Sequence, residues 1–197
     1  MTLSTLSEPA RFELVVKKSR FLAHAAAIDR AEMAPAFLTS LHAPDASHHC
    51  WAYRIGGEYR SSDDGEPAGT AGRPILAAID GQHCDRVMVV VARWFGGIKL
   101  GAGGLVRAYG GAASECLRNA IKTPLVELVQ VEIACGFEHV GTVHQLITQC
   151  GASKRAETFT DQGLHFDLEL PRDRLSALQS ALRDATRGQA HLVEATE

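Results

Sequence analysis

VMVVVARWFGGIKLGAGGLVRAYGG, residues 87–111, is the stretch around which the chain is organised. Val87 to Val91 is an apolar β-branched run of the length of a buried strand. Arg93-Trp94-Phe95 follows, then Gly96-Gly97, Gly101 and Gly103-Gly104, then a helical pattern from about Leu105. A strand, a glycine loop and a helix in that order bring backbone N–H groups and the positive end of a helix towards an anion. From Arg86 to Ser114 there is no Asp or Glu, whereas Arg86, Arg93, Lys99 and Arg107 are basic. The combination predicts phosphate contact. The glycines equally suit a tight turn and close helix packing. No Gly-Lys-Ser/Thr follows them, and Gly101 to Val106 lacks the dinucleotide-binding spacing, so the motif implies no nucleotide cofactor.

The 197 residues suffice for one large or two small domains, and 46% hydrophobic with 22% charged residues is a globular composition. No apolar run approaches the ~20 residues of a membrane helix. The first residues, MTLSTLSEPARFEL, lack the basic and apolar regions of a secretory signal. Cys50, Cys84, Cys116, Cys135 and Cys150 are scattered, odd in number and form no CxxC pair, which predicts reduced thiols in a cytoplasmic protein. The net charge of −3 excludes a generally basic nucleic-acid binder. Residues 1–123 carry 14 Lys and Arg against 12 Asp and Glu, a balance of +2, and residues 124–197 carry 6 against 11, a balance of −5. A polyanion surface therefore belongs on the first part, with salt-sensitive binding as its consequence.

Ahead of the central stretch, Arg11–Val16 and Phe21–Ile28 read as strands joined by the basic turn Lys17-Lys18-Ser19-Arg20. Residues 30–41 read as a helix with Met33, Phe37, Leu38 and Leu41 inward, and His48–Ile55 as a strand. Neighbouring side chains on a strand point to opposite faces, so His48-His49-Cys50 is not a chelating cluster, and no second cluster completes a metal site. SDDGEPAGTAGRP, residues 62–74, is too rich in Gly, Pro and Asp for regular structure. Asp63, Asp64 and Glu66 have the chemistry of Mg²⁺ ligands or of an acid and base, and equally that of carboxylates ordering their own loop; the latter is the expectation. A short helix is predicted over Ile75–Ile79 and a longer one over Val106–Ile121, with Val106, Tyr109, Ala113, Cys116, Leu117 and Ile121 inward. Gly110-Gly111 within it suggests close packing against the sheet.

The remaining 74 residues give strands at Val126–Ala134, Ser153–Phe159, Leu164–Leu170 and Ala190–Glu194, with helices at His139–Cys150 and Pro171–Thr186. The order β-α-β-β-α-β is the ferredoxin-like arrangement, which by itself decides no function. The aromatic pair of RNA-recognition sheets is not evident in it.

KKSRF at Lys17–Phe21, HHCWAY at His48–Tyr53, SDDGEPAGTAGRP at Ser62–Pro74 and VVVARWFGGIKLGAGGLVRAYGG at Val89–Gly111 together resemble the IMPACT/YigZ family. The resemblance covers nearly all of residues 11–122, and the tail looks like the smaller C-terminal domain of bacterial members. It implies an α+β chain of two domains, and the change of charge balance with Pro124 puts their bounds at 1–123 and 124–197. The first would be a β-α sandwich like domain 2 of a small-subunit ribosomal protein and domain IV of elongation factor G. The second, ferredoxin-like, would resemble domain V of that factor. Both relatives contact RNA. Eukaryotic members interfere with activation of an initiation-factor kinase and carry an additional RWD domain; without that domain the kinase-pathway role does not transfer. The family supplies no catalytic residues.

The leading expectation is a non-enzymatic, translation-linked protein that binds RNA or the ribosome and needs no cofactor or metal. Its phosphate-binding set is Lys17, Lys18, Arg20, Arg73, Arg93, Lys99 and Arg107 with Gly96, Gly97, Gly101, Gly103 and Gly104, and Trp94 as a stacking residue. Two alternatives stand beside it. One is a Mg²⁺-dependent enzyme with a loop like that of GHMP-type kinases, using Asp63, Asp64, Glu66 and Lys99. The other is a protein-interaction module whose acidic second domain is the partner face.

Overall fold

The computed structural model describes residues 3–195. The chain forms two compact units, Met1–Leu125 and Val126–Glu197. In the first, five strands pair antiparallel throughout: β2 (Ala10–Val16), β3 (Ser19–Ala27), β4 (His48–Ile55), β5 (Glu58–Ser62) and β6 (Val87–Trp94), in spatial order β2-β3-β6-β4-β5. The last of them in sequence is therefore the central one. β6 is an unbroken apolar run because both its faces are covered. Val87, Val89 and Val91 face helices α2 (Gly72–Gly81) and α3 (Ala102–Arg118), together with Phe21, Ala23 and Ala25 of β3 and Cys50 and Ala52 of β4. Met88 and Val90 face the other way, onto Ile28, Tyr53 and the short helix α1 (Ala34–Ser40). α1 is preceded by a 3-10 turn, and Met33, expected inward, is exposed.

Two hairpin turns set the registers. Val16 pairs with Ser19 across Lys17-Lys18, both with positive φ (45° and 67°), and Ile55 pairs with Glu58 across Gly56-Gly57. Positive φ at both Lys17 and Lys18 gives the first turn the twist of its strands, and in the second Gly56 alone is positive, at 58°. β1 (Ser4–Leu6) pairs with β7 (Lys122–Pro124), closing the unit end to end and placing Pro124 in the first unit rather than at the start of the second. α3 begins at Ala102, three residues before the expected start, and ends at Arg118, so Ile121 lies beyond it and is exposed, as is Val106. A Cβ at Gly110 would meet Pro74 of α2 at 3.4 Å, and one at Gly111 would meet Leu14 of β2 at 4.0 Å; of the pair expected against the sheet, Gly111 faces it, while the tighter approach is between the two helices.

The second unit has the expected order: β8 (Leu128–Cys135), α4 (Val140–Gln149), β9 (Ser153–Thr160), β10 (Gly163–Pro171), α5 (Arg172–Thr186) and β11 (His191–Glu194). Its antiparallel sheet runs β11-β8-β10-β9, and both helices pack on one face, where Val131, Ile133, Val143, Phe166, Leu168 and Leu178 form the core.

Candidate nucleic-acid interface

The loop after β6 is held by the hairpin before β3. A Cβ at Gly96 would lie 2.0 Å from the carbonyl carbon of Lys18, so only glycine fits there. The Gly96 N–H donates to the Oγ of fully buried Ser19 at 3.1 Å. KKSRF and the glycine stretch, some 75 residues apart, thus form one piece of surface. Lys17 lies with Leu14, Val16, Leu100, Gly104, Arg107 and Ala108 around a small cavity of ≈ 150 Å³. α3 starts in the same place. Its Ncap, Gly101, sits at φ 76° with no side chain capping the helix, and its first bond runs from the Leu105 N–H to the Gly101 carbonyl. The N–H groups of Ala102, Gly103 and Gly104 therefore project past the helix end. No acid lies in this first turn, and the Arg107 side chain folds back so that its Nη1 lies 3.5 Å from the Cβ position of Gly103. A cation on the positive end of a helix is unfavourable unless an anion joins them.

Arg93 does not belong to this surface. Alternation along β6 turns it towards the helices, where it is buried and Nη1 donates to Glu66 Oε1 at 2.5 Å. The same oxygen accepts the Tyr109 hydroxyl at 2.7 Å, and His48 Nε2 lies 3.9 Å away. Arg93 Nη2 reaches Ser19 Oγ at 3.5 Å. Glu66 thus leaves its loop and ties together β6, α3, β4 and, through Arg93, the glycine loop. Burial pushes the Tyr109 hydroxyl well up, so it remains a donor. Burial also pushes the thiols of Cys50 and Cys116 up to about 12, as inert core residues; all five cysteines are free. Trp94 points to the opposite face of the sheet, partly buried, with the Arg20 guanidinium 3.7 Å from its ring centroid. Arg20 and Trp94 pair across β3 and β6, so Arg20 is turned away from the helix face. Arg73 is exposed on the first turn of α2, beside the carboxylate loop. Lys17, Lys18, Lys99 and Arg107 remain exposed on the glycine-loop side.

The carboxylate loop is ordered by its own acids. Asp63 accepts the N–H groups of Gly69, Ala71 and Gly72 at 2.7, 2.9 and 2.8 Å. Burial pushes its carboxyl up, but these donors and Arg73 outweigh that and hold it below the usual carboxylate range. Asp64 Oδ2 accepts the His49 N–H at 2.6 Å, and the Asp64 carbonyl accepts from His48 Nδ1 at 2.7 Å, which fixes that proton on Nδ1. His48 and His49 point to opposite faces, His49 stacking on His42 at 4.9 Å. Among the described residues no group of three His, Cys, Asp or Glu is placed to hold a metal. Sequence reasoning missed the buried pair of Glu66 and Arg93; Arg93 ends an apolar run, but Glu66 sits between exposed Gly65 and Pro67, so nothing local marks it as buried.

The first domain is an α+β domain in which a basic hairpin is seated on a glycine loop at an open helix start, and a second small α+β domain follows it. Residues 17–117 match the Impact N-terminal domain and residues 133–189 a domain of unknown function, DUF1949. The chain belongs to the IMPACT family. It is 48% identical over 176 residues to the IMPACT family member in pol 5'region of Thermus thermophilus, covering 89% of this chain and 97% of that one. It is 38% identical over 192 residues to the IMPACT family member YigZ of Escherichia coli K12, covering 92% of each. A crystal structure described as a hypothetical protein superposes with a TM-score of 0.65 at 34% identity, over 100% of this chain and 99% of that one.

Proposed function

We propose that the chain is a non-enzymatic, translation-linked protein that binds RNA, free or in the ribosome, through the first unit. The observation that carries this reading is the seating of Lys17-Lys18 on Gly96, which gathers both basic stretches beside the open N-terminus of α3. A molecule of net charge −3 repels RNA as a whole, so binding requires such local concentration. The likeness to the IMPACT family supports the link to translation. The carboxylates of the enzymatic alternative are already engaged, Asp63 by three N–H groups, Asp64 by His49 and Glu66 by Arg93. The test is RNA binding by wild type, Lys99→Ala and Arg107→Ala across a salt series. Each variant should weaken binding and reduce the slope of log K against log salt by about 1. Unchanged affinity and slope in both folded variants would leave the glycine stretch as architecture.

A further inference from the structure

Phe95 and Ile98 stand out of the glycine loop, 51% and 43% exposed. Singly exposed apolar side chains are common. Phe95 differs in its mounting. Its N–H donates to Ser47 Oγ at 3.3 Å, and the next N–H, of Gly96, is held by buried Ser19. The ring is thus carried on backbone fixed to two other segments and has only two torsions of its own. The Arg93 guanidinium lies 5.6 Å from its centroid, and Lys99 is on the same loop. Trp94, the aromatic beside it, already has Arg20 over its face.

We propose that Phe95 is a stacking platform for an unpaired base, so that the ligand of this surface is single-stranded or bulged RNA rather than a duplex. The inference rests on the RNA-binding reading above. Bases inside an A-form helix present no free face, and aromatic side chains recognise bases that are splayed out. Stacking is indifferent to base identity and to salt, whereas Lys17, Lys18, Lys99 and Arg107 contact phosphates and supply the salt dependence. An anionic membrane also combines charge with apolar contact. Two half-exposed side chains bury far less than the single acyl chain that gives only marginal membrane binding.

The experiment compares wild type, Phe95→Ala, Phe95→Leu and Phe95→Trp by fluorescence anisotropy. The probes are a labelled 12-nucleotide oligoadenylate and a 12-base-pair RNA duplex at 50 and 150 mM salt. Co-sedimentation with vesicles of phosphatidylglycerol and phosphatidylcholine runs in parallel. Matched thermal melting establishes that the variants are folded. Wild type should prefer the single strand. Phe95→Ala should lose about 5- to 100-fold in single-strand affinity with an unchanged salt slope and unchanged duplex binding. Phe95→Trp should retain affinity and Phe95→Leu should not, since leucine replaces apolar bulk but not a ring. If wild type binds RNA and Phe95→Ala binds it equally, or Phe95→Leu fully restores binding, stacking is overturned while the RNA reading stands. If wild type binds no RNA at 50 mM salt, the RNA reading falls and takes this one with it. Vesicle binding lost in Phe95→Ala without RNA binding would assign the surface to a membrane and overturn both.

Discussion

The two units are held together by different means. The first buries Ser19, Glu66, Thr70, Asp85 and Arg93; among the described residues of the second, the buried polar side chain is Thr186, which only bridges Leu182 and Ala190 at the end of α5. Apolar contact is non-directional, and cores tolerate exchange of side chains of similar volume. Charged hydrogen bonds require particular atoms in particular places. The second unit can therefore keep its fold through wide sequence change, whereas the first keeps a loop geometry that few sequences reproduce. This difference explains why the long, specific motifs lie in the first unit.

Glu66→Ala should break the comparison most sharply. It leaves Arg93 buried and unpaired, which costs about 3–5 kcal/mol. Trp51 and Trp94, the chain's two tryptophans, both lie in the first unit, so urea unfolding followed by their fluorescence should shift strongly. The part of the far-UV circular dichroism from the second unit should not move. The converse variant is Leu168→Ala, at a fully buried position of β10. It should cost about 2–5 kcal/mol in circular dichroism without moving the tryptophan transition. Leu168→Met should cost less than about 1.5 kcal/mol. A conservative Glu66→Gln should stay closer to Glu66→Ala than Leu168→Met does to wild type.

Gly96→Ala drives a methyl group into the Lys18 backbone and should cost about 1–3 kcal/mol of stability. Gly97→Ala, with nothing near its Cβ but φ at 82°, should cost about 1 kcal/mol. Calorimetry on the pair separates close approach from backbone strain; equal costs would remove the close-approach explanation. The smallest effect is on acid stability. The folded Asp63 carboxyl titrates below its unfolded value, so its contribution is complete above about pH 4 and disappears as pH falls through the folded value. Asp63→Asn should begin less stable and lose less between pH 4.5 and 2.5 than wild type, by tryptophan fluorescence.

Periodicity located β4 at its observed bounds through apolar residues on both its faces, Cys50 and Ala52 on one and Trp51, Tyr53 and Ile55 on the other. In the second unit β8, α4, β10 and α5 each bury one apolar face, and β9, exposed along nearly all its length, was marked by the turns that flank it. β5 left no signal: EYRSS is an edge strand, exposed along most of its length, and is recruited by pairing with β4 rather than by burial. β1 and β7 are three residues each, too short for any period. The start of α3 was obscured by Gly103-Gly104, poor helix formers that tertiary packing overrides. On the site, the glycine loop and its cations were readable as a group because they are contiguous. The removal of Arg93 from that group depends on Glu66, 27 residues away, and the displacement of Trp94 depends on which face each residue of β6 takes. A contiguous sequence carries composition but not facing.

The position of β6 also sets the order in which the first unit can form. β3 and β4 both pair with it, and neither pairs with the other. On a growing chain the hairpins β2-β3 and β4-β5 can close locally, but each keeps an unpaired inner edge until residues 87–94 have been made. Non-local pairing of this kind slows folding and leaves strand edges open to wrong partners. The terminal pairing of β1 with β7 comes later still, since β7 begins at Lys122. Synthesis thus leaves a window in which two half-sheets wait for a common strand, and whatever shields them then determines the yield of folded protein.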